Sequence, residues 1–313
     1  MSYASGGLIQ AADFNGIANG TSGANIAWVW GTGYGSTGYG QSTTALASLA
    51  TGTQVTAAQW SGMLGVLNAA LGHQTGATYQ LGPLNYTSGS TITYFANVTA
   101  SAIGINQAAN IAAFSSQGAT TTGGGFAATI NVGTATAYGP AYLATRSVTF
   151  TSGDAARYFF NAGGQLNFVI SSVTINAADS RATDAQTLLA TNLGGFSAFR
   201  NTTGGGRTGS GGTTNTNSTT IGYRNLSTAQ QTLVDVTSST SPYTTDNANL
   251  RVRSNGVQGV NGDLGSVIYF DLGCSFPAHG GFNDALNVTV NHRIDIVVPE
   301  STYLAAWTLP TIA

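Results

Sequence analysis

The sequence predicts a mainly β protein: an antiparallel β-sandwich region preceded by a small mixed α/loop module at the N-terminus. Three observations point there. Residues 287–298 alternate with a period of two, which is the pattern of an antiparallel strand with one wet face. Val288, Val290, His292, Ile294, Ile296 and Val298 lie on one side, and Thr289, Asn291, Arg293 and Asp295 on the other. From Ser147 onward, short strand-like runs recur between Gly-rich turns with few helical patterns, which favours stacked sheets over alternating βα units. The first 77 residues read differently, with one strong helix pattern and a Gly/Tyr run. The expected division is therefore a docking module over 1–77 and a β-rich region over 78–313, the latter open to a further split near 146.

Taken in order, residues 11–18 predict a short helix with Phe14, Ile17 and Ala18 at helical spacing. Residues 26–30 read as a strand or an apolar plug, and 31–41 (GTGYGSTGYGQ) as tight turns. Thr56 and Gln59 form a capping box. It opens a helix with Trp60, Leu64, Leu67 and Leu71 on one face and Gly72 as its stop. Residues 91–98 and 126–132 predict strands, 100–114 a helix and 120–125 a turn. A short strand over 148–150, one helical turn over 154–160, a turn over 161–164 and a strand over 165–175 follow. Thr183 and Gln186 read as a second capping box, ahead of Leu188, Leu189 and Leu193 and a stop at Gly194 and Gly195. Leu250 and Val252 alternate with Arg251 and Arg253, and 266–272 is a largely apolar strand.

Charge sets the next constraint. Only 6% of the 313 residues are charged, against roughly 25% in ordinary domains. The nine basic residues are all arginine, and the eleven acidic ones are aspartates apart from Glu300. Up to Thr145 the only charged side chain is Asp13. A net charge of −2 without a basic cluster argues against binding nucleic acid by counterion release. No apolar run is long enough for a spanning helix, so no membrane insertion is expected, and MSYASGGLIQ has no secretory-leader pattern. Cys274 is the only cysteine, so no intrachain disulfide is expected. With 42% hydrophobic and 10% aromatic residues, the chain can build a core. Its surface must be mainly hydroxyl, amide, Gly and Ala. Such a surface packs against other subunits without desolvating charge, and Lys, absent here, is depleted at interfaces. An assembly of identical copies is the expectation.

Motifs for chemistry are weak. Gly33, Gly35 and Gly38 match a dinucleotide fingerprint in form, but no helix pattern opens at Gly38 and no acidic residue follows about 20 positions later. No cofactor is expected. Asp263/Asp271 and Asp284/Asp295 are carboxylate pairs weighed for acid/base chemistry; Asp263 reads as a turn residue and Asp295 as a solvated sheet residue. His73 reads as a helix C-terminal residue, His279 as a loop residue and His292 as a satisfied core residue. None has metal-ligand spacing. Asp246, Asn247 and Asn249 read as a turn rather than calcium ligands. No Gly-x-Ser-x-Gly stands at a strand-to-helix turn, and no catalytic residue is assigned. Arg157, Tyr158, Phe159 and Phe160 form an aromatic cluster with one cation, read as core packing with a buried Arg donating to carbonyls, or as a subunit contact. Trp60 joins them as a packing residue. Residues 203–220 read as a solvated loop or an exposed contact tip carrying Gly204, Gly205, Gly206 and Arg207.

Several stretches resemble structural proteins of tailed bacteriophages, of the type found in cyanophages and other aquatic phages. They are GGLIQAADFNGI, GTGYGSTGYGQ and VTAAQWSGMLGVLNAALGHQTG near the N-terminus, and Ala155–Gly164 (AARYFFNAGG) further on. Ser301, Thr302, Tyr303 and Leu304 after Pro299 are similar as well. The resemblance implies a non-enzymatic virion component, tail-fibre-like or part of the tail, neck or baseplate. It would be made in the bacterial host cytoplasm and act by symmetric assembly, with a trimer expected for a fibre, beside other virion proteins. A capsid decoration protein is one alternative. The other is an adhesin that holds host-surface glycan through the 203–220 loop or nearby tyrosines. The resemblance brings no catalytic residues.

Overall fold

A computed structural model describes residues 10–18, 47–75, 87, 117–121, 125–133, 136–161, 164–175, 179–194, 196–199, 213–214, 226–257, 264–281, 284–299 and 307–313. The expectations for 26–30, 31–41, 91–98, 100–114 and Gly204 to Arg207 lie outside the described residues.

The chain is mainly β, with two antiparallel sheets packed face to face. The strands are β1 (Gln117–Thr121), β2 (Phe126–Val132), β3 (Tyr138–Thr149), β4 (Gln165–Ile175), β5 (Phe196–Phe199) and β6 (Thr213–Thr214). They continue as β7 (Gln231–Thr237), β8 (Asn247–Ser254), β9 (Val267–Phe276), β10 (Leu286–Pro299) and β11 (Thr311–Ile312). In the five-stranded sheet, β10 pairs with β4 on one edge, and β4 with β5. The other edge of β10 is shared by β2 and β1, each antiparallel to it. The six-stranded sheet runs β11-β3-β9-β8-β7-β6.

Alternation produces the core. Val288, Val290, His292, Ile294 and Ile296 of β10 are buried, as the period of two requires. Opposite them, β9 buries Ile268, Phe270, Leu272, Cys274 and Phe276, and β8 buries Ala248, Leu250 and Val252. The Phe168 ring stacks on Phe270 across the interface at 6.0 Å. A register shift between Asn291 and His292 leaves Ser171 opposite no partner, and its hydroxyl donates to the Asn291 carbonyl. Burial also pushes the Cys274 thiol up to about 12.

Four helices complete the described fold: α1 (Ala11–Ala18), α2 (Ala57–Thr75), α3 (Gly153–Asn161) and α4 (Ser180–Gln186). The last continues as a π-helical stretch over Thr187–Leu193. The Thr56 capping box is present in both directions, Gln59 N–H to Thr56 Oγ1 at 3.2 Å and Thr56 N–H to Gln59 Oε1 at 2.8 Å. Trp60, Met63 and Leu64 are fully buried, and α2 packs against α3. Helix α2 runs past Gly72 to Thr75, so Gly72 is not its stop and His73 is within the helix rather than beyond it. Asn15 Nδ2 donates to the Leu49 carbonyl and its Oδ1 accepts from Leu49 N–H, which ties α1 to the segment before α2.

Other local expectations change: Thr120 and Thr121, read as the start of a turn, stand in β1 and pair with β10. The short strand near 148 is the end of the twelve-residue β3. The single turn near 154 is a nine-residue helix, with Ser152 Oγ accepting from Ala155 N–H at its start. The helix expected from Thr183 starts at Ser180, because Asp179 supplies the cap and accepts from Ala182 N–H. The Thr183 hydroxyl instead donates back to the Asp179 carbonyl. The π-helical stretch and α4 join the sheets: α4 packs on β4 and β10, and the π turn on β4, β7 and β8.

Gly164 shows how closely α3 seats. A Cβ there would lie 2.3 Å from Phe159 Cε1, in a cluster where Phe159 meets Phe150, Phe160 and Trp307 edge-on or tilted. Gly164→Ala is expected to lower stability by about 1–3 kcal/mol, the usual range for overpacking, read as a lower urea midpoint. Adding Phe159→Leu in the same chain should recover part of that loss, since it removes the ring atoms in the way.

Candidate functional site

The densest polar cluster forms where the N-terminus of α4 meets the connections β7–β8, β9–β10 and β2–β3. Arg181, the second residue of α4, is fully buried. Its Nη1 donates to the Asp284 carbonyl at 3.1 Å. Its Nη2 donates to the carbonyls of Thr136 (2.9 Å), Phe276 (3.1 Å) and Pro277 (3.2 Å). The planar fork suits this task, as it offers fixed donors in several directions. Beside it, Ser180 Oγ donates to Asp284 Oδ2 at 3.0 Å and lies 2.7 Å from Tyr243 Oη. Ser238 Oγ donates to Asp184 Oδ1 at 2.7 Å. His279 Nε2 lies 2.6 Å from Asp246 Oδ1, and the Tyr243 ring meets the His279 ring edge-on at 5.1 Å.

The expectation of a turn at Asp246 to Asn249 is corrected here. Asn247 and Asn249 stand in β8, and Asp246 is buried against His279. Burial holds the Asp246 carboxyl above the usual carboxylate range; the His279 hydrogen bond opposes this and nearby Asp184 adds to it. A nucleophile relay would need Ser180 on His279. Ser180 is instead bonded to Tyr243 and Asp284, and His279 to Asp246. Among the described residues no group of three or more His, Cys, Asp or Glu side chains is placed to hold a metal ion. No helix among them is long and apolar enough to cross a membrane.

A second polar contact crosses the sandwich. Arg146 of β3 donates through Nε to His292 Nε2 at 2.9 Å and lies over the Phe126 ring at 4.1 Å. Because Arg146 can only donate, Nε2 must be the bare nitrogen, and Nδ1 carries the proton toward the Val290 carbonyl. Phe168 and Phe126 stack on either side, at 5.6 and 5.9 Å. Burial, then the Arg146 charge, pushes the His292 imidazole below its ordinary value.

The named packing residues fall as follows. Phe159 and Phe160 are buried on α3, Arg157 is buried over the half-buried Tyr158 ring at 4.3 Å, and Asp154 lies 3.6 Å from its Nε. The buried arginine that collects carbonyls is Arg181, which sequence reasoning passed over. The only signal for it was an Arg inside a capped helix start. Asp271 is buried on the outer face of β9 and accepts from Thr145 Oγ1 (2.8 Å), Gln230 Nε2 (2.8 Å) and Arg253 Nε (3.0 Å). Asp295, read as solvated, is buried and takes Arg293 Nε at 2.9 Å. Compared with protein-family models, curated proteins and solved structures, the chain matches none.

Two outcomes follow. Arg181→Met, which leaves four carbonyls and nearby carboxylates without their cation, is expected to cost about 3–5 kcal/mol or to prevent folding; Arg181→Lys should recover only part. For His292 the folded pKa lies below the ordinary 6.5. Above 6.5 both folded and unfolded chains hold it neutral, so stability is unaffected. As pH falls below 6.5 the unfolded chain takes up a proton that the folded chain does not. Stability then declines by up to about 1.4 kcal/mol per pH unit until the folded pKa is reached. Urea titrations from pH 7.5 to 5 should show this slope in the wild type and lose it in His292→Gln, which keeps an acceptor for Arg146. Equal slopes would remove the neutral-histidine reading.

Proposed function

We propose that this chain is a non-enzymatic structural component of a tailed-phage virion, in the tail, neck, baseplate or an attached fibre. It works by packing symmetric copies of itself against one another and against other virion proteins. The observation that carries this reading is where the charges sit. Every described arginine and aspartate is buried or half-buried; none is exposed. The exposed positions hold Thr, Ser, Asn, Gly and Ala instead, for example Thr129 and Asn131 on β2 and Ser172 and Thr174 on β4. A protein that remains single in water ordinarily keeps charge outside. A hydroxyl and amide exterior loses little when another subunit covers it, because no ion has to be stripped of water. The resemblance to phage structural proteins, carried by the N-terminal motifs and the AARYFFNAGG segment, supports the same reading. A trimer is the first symmetry to test, since a fibre or spike closes around a threefold axis.

Sedimentation of the purified chain at micromolar concentration should show a defined oligomer. It should change little between low salt and about 0.5 M salt, because screening acts on charges, and only 6% of the residues are charged. Thr129 and Thr289 face one another on the outer face of the five-stranded sheet, hydroxyl to hydroxyl at 3.1 Å. If that face is covered in the assembly, Thr129→Glu with Thr289→Glu should give monomers with an unchanged far-UV spectrum. A wild-type chain that remains a stable, soluble monomer would sink the proposal.

A further inference from the structure

The edges of the two sheets differ in how well they are protected. An unpaired edge strand presents alternate N–H and C=O groups that another strand can take, and proteins blunt such edges with charge, proline, bulges, shortness or a cover. Among the described residues most edges are blunted in one of these ways. Strands β6 and β11 have two residues each and β5 has four. The register of β1 shifts between Gln117 and Thr120. Strand β3 carries Pro140 and two register shifts. Past the reach of β5, β4 is irregular at Ser171, and Gln186 of α4 donates through Nε2 to its Val173 carbonyl at 2.7 Å. Past the reach of β6, β7 carries Asp235 and a register shift.

Strand β2 has none of these devices. Its seven residues, FAATINV, include no charge, proline or glycine. They pair with β10 in unbroken register, from Phe126 opposite His292 to Val132 opposite Leu286, and among the described residues with no other strand. The strand is also complementary to itself. Ile130 is buried, Ala128 and Val132 pack against the core, and Phe126 stacks on His292, whereas Ala127, Thr129 and Asn131 are exposed. Set antiparallel to an identical strand about Thr129, Phe126 falls opposite Val132, Ala128 opposite Ile130, Ala127 opposite Asn131 and Thr129 opposite itself. Inner residues meet inner ones and outer residues meet outer ones; a slip by one residue would set inner against outer. On the outer face Thr174 of β4, Thr289 of β10 and Thr129 of β2 stand in register, so a row of threonines crosses the sheet and ends at this edge. A second copy continues the row through its own Thr129. Cross-strand threonine pairs are favourable, no ion loses water, and the half-buried Phe126, Ala128 and Val132 gain cover.

We propose that β2 pairs antiparallel with β2 of a second copy across a twofold axis at Thr129, which joins the two five-stranded sheets into one continuous sheet. This inference rests on the reading that identical copies pack together, and it names the surface they use. A twofold contact is self-complementary and requires an even number of copies, either a dimer or such pairs repeated about a further axis.

The test uses the full chain with single cysteines on the exposed side of β2, where the buried Cys274 offers no competing thiol. On oxidation Thr129→Cys should link most chains in pairs, read on a non-reducing gel. Asn131→Cys alone should not, because its two copies would stand about 14 Å apart along the strands, at ~3.4 Å per residue, beyond the ~7 Å Cα reach of a disulfide. Ala127→Cys and Asn131→Cys chains produced together should link to each other. Thr129→Lys sets like charges directly opposite one another and should halve the sedimenting mass with an unchanged far-UV spectrum. The pairing is overturned if the chain forms an oligomer in which folded Thr129→Cys does not link, if Asn131→Cys alone links equally well, if Thr129→Lys sediments as wild type, or if the copy number is odd. Each of those outcomes leaves the assembly reading standing. A wild-type chain that sediments as a monomer removes both.

Discussion

Four carbonyls at one end of the sandwich converge on the Arg181 guanidinium, and the geometry of that end follows from it. Thr136 precedes β3, Phe276 and Pro277 leave β9, and Asp284 precedes β10. Buried carbonyls without donors are costly, and loops at a sandwich end have no ladder to supply them. A charged donor inside the fold is tolerable only where its surroundings satisfy it. Arg181 and the loops solve the problem for each other, with Ser180, Asp184, Tyr243, Asp246 and His279 packed around them. Because Arg181 rides on α4, whose π-helical continuation touches both sheets, fixing the loops also fixes the helix that spans the sandwich.

This inward use of charge and the neutral exterior have a common origin. Among the described residues, ions are tied within the chain: Arg181 to carbonyls, Arg146 to a neutral histidine, Asp271 to Thr145, Gln230 and Arg253, and Asp295 to Arg293. The exposed positions among them are mainly hydroxyls and amides. A surface of that kind has weak electrostatic preferences for partners, so recognition must come from shape and hydrogen-bond register, as between identical strands. The proposed virion role rests on that property.

The sandwich itself was legible from the sequence because alternation is a strong signal. The inner row of β10, His292 included, could be read directly, as could the Thr56 capping box. Elements defined by long-range pairing were read short. The residues of β3 before Val148 carry Gly139, Pro140 and Ala141, poor strand formers that are held in place by β9. The start of α4 was misplaced by four residues because Asp179 and Thr183 are both able caps, and only the bond from Ala182 N–H decides between them. Local patterns also could not reveal which arginine collects carbonyls. Arg157 stood in a conspicuous aromatic cluster, whereas the acceptors for Arg181 come from segments as far as 103 residues away in sequence. Asp246 and Asp295 looked like turn and surface residues because burial of an aspartate depends on a partner that one-dimensional spacing does not show.

Cys274 gives the fold a built-in reporter. Its side chain lies on the inner face of β9, between the β3 and β8 ladders, and its thiol is held far from the reactive thiolate form. Disulfide reagents can reach this sulfur only when the central strands part. The speed of its chemical labelling therefore clocks the opening of the sandwich, without any label having to be engineered.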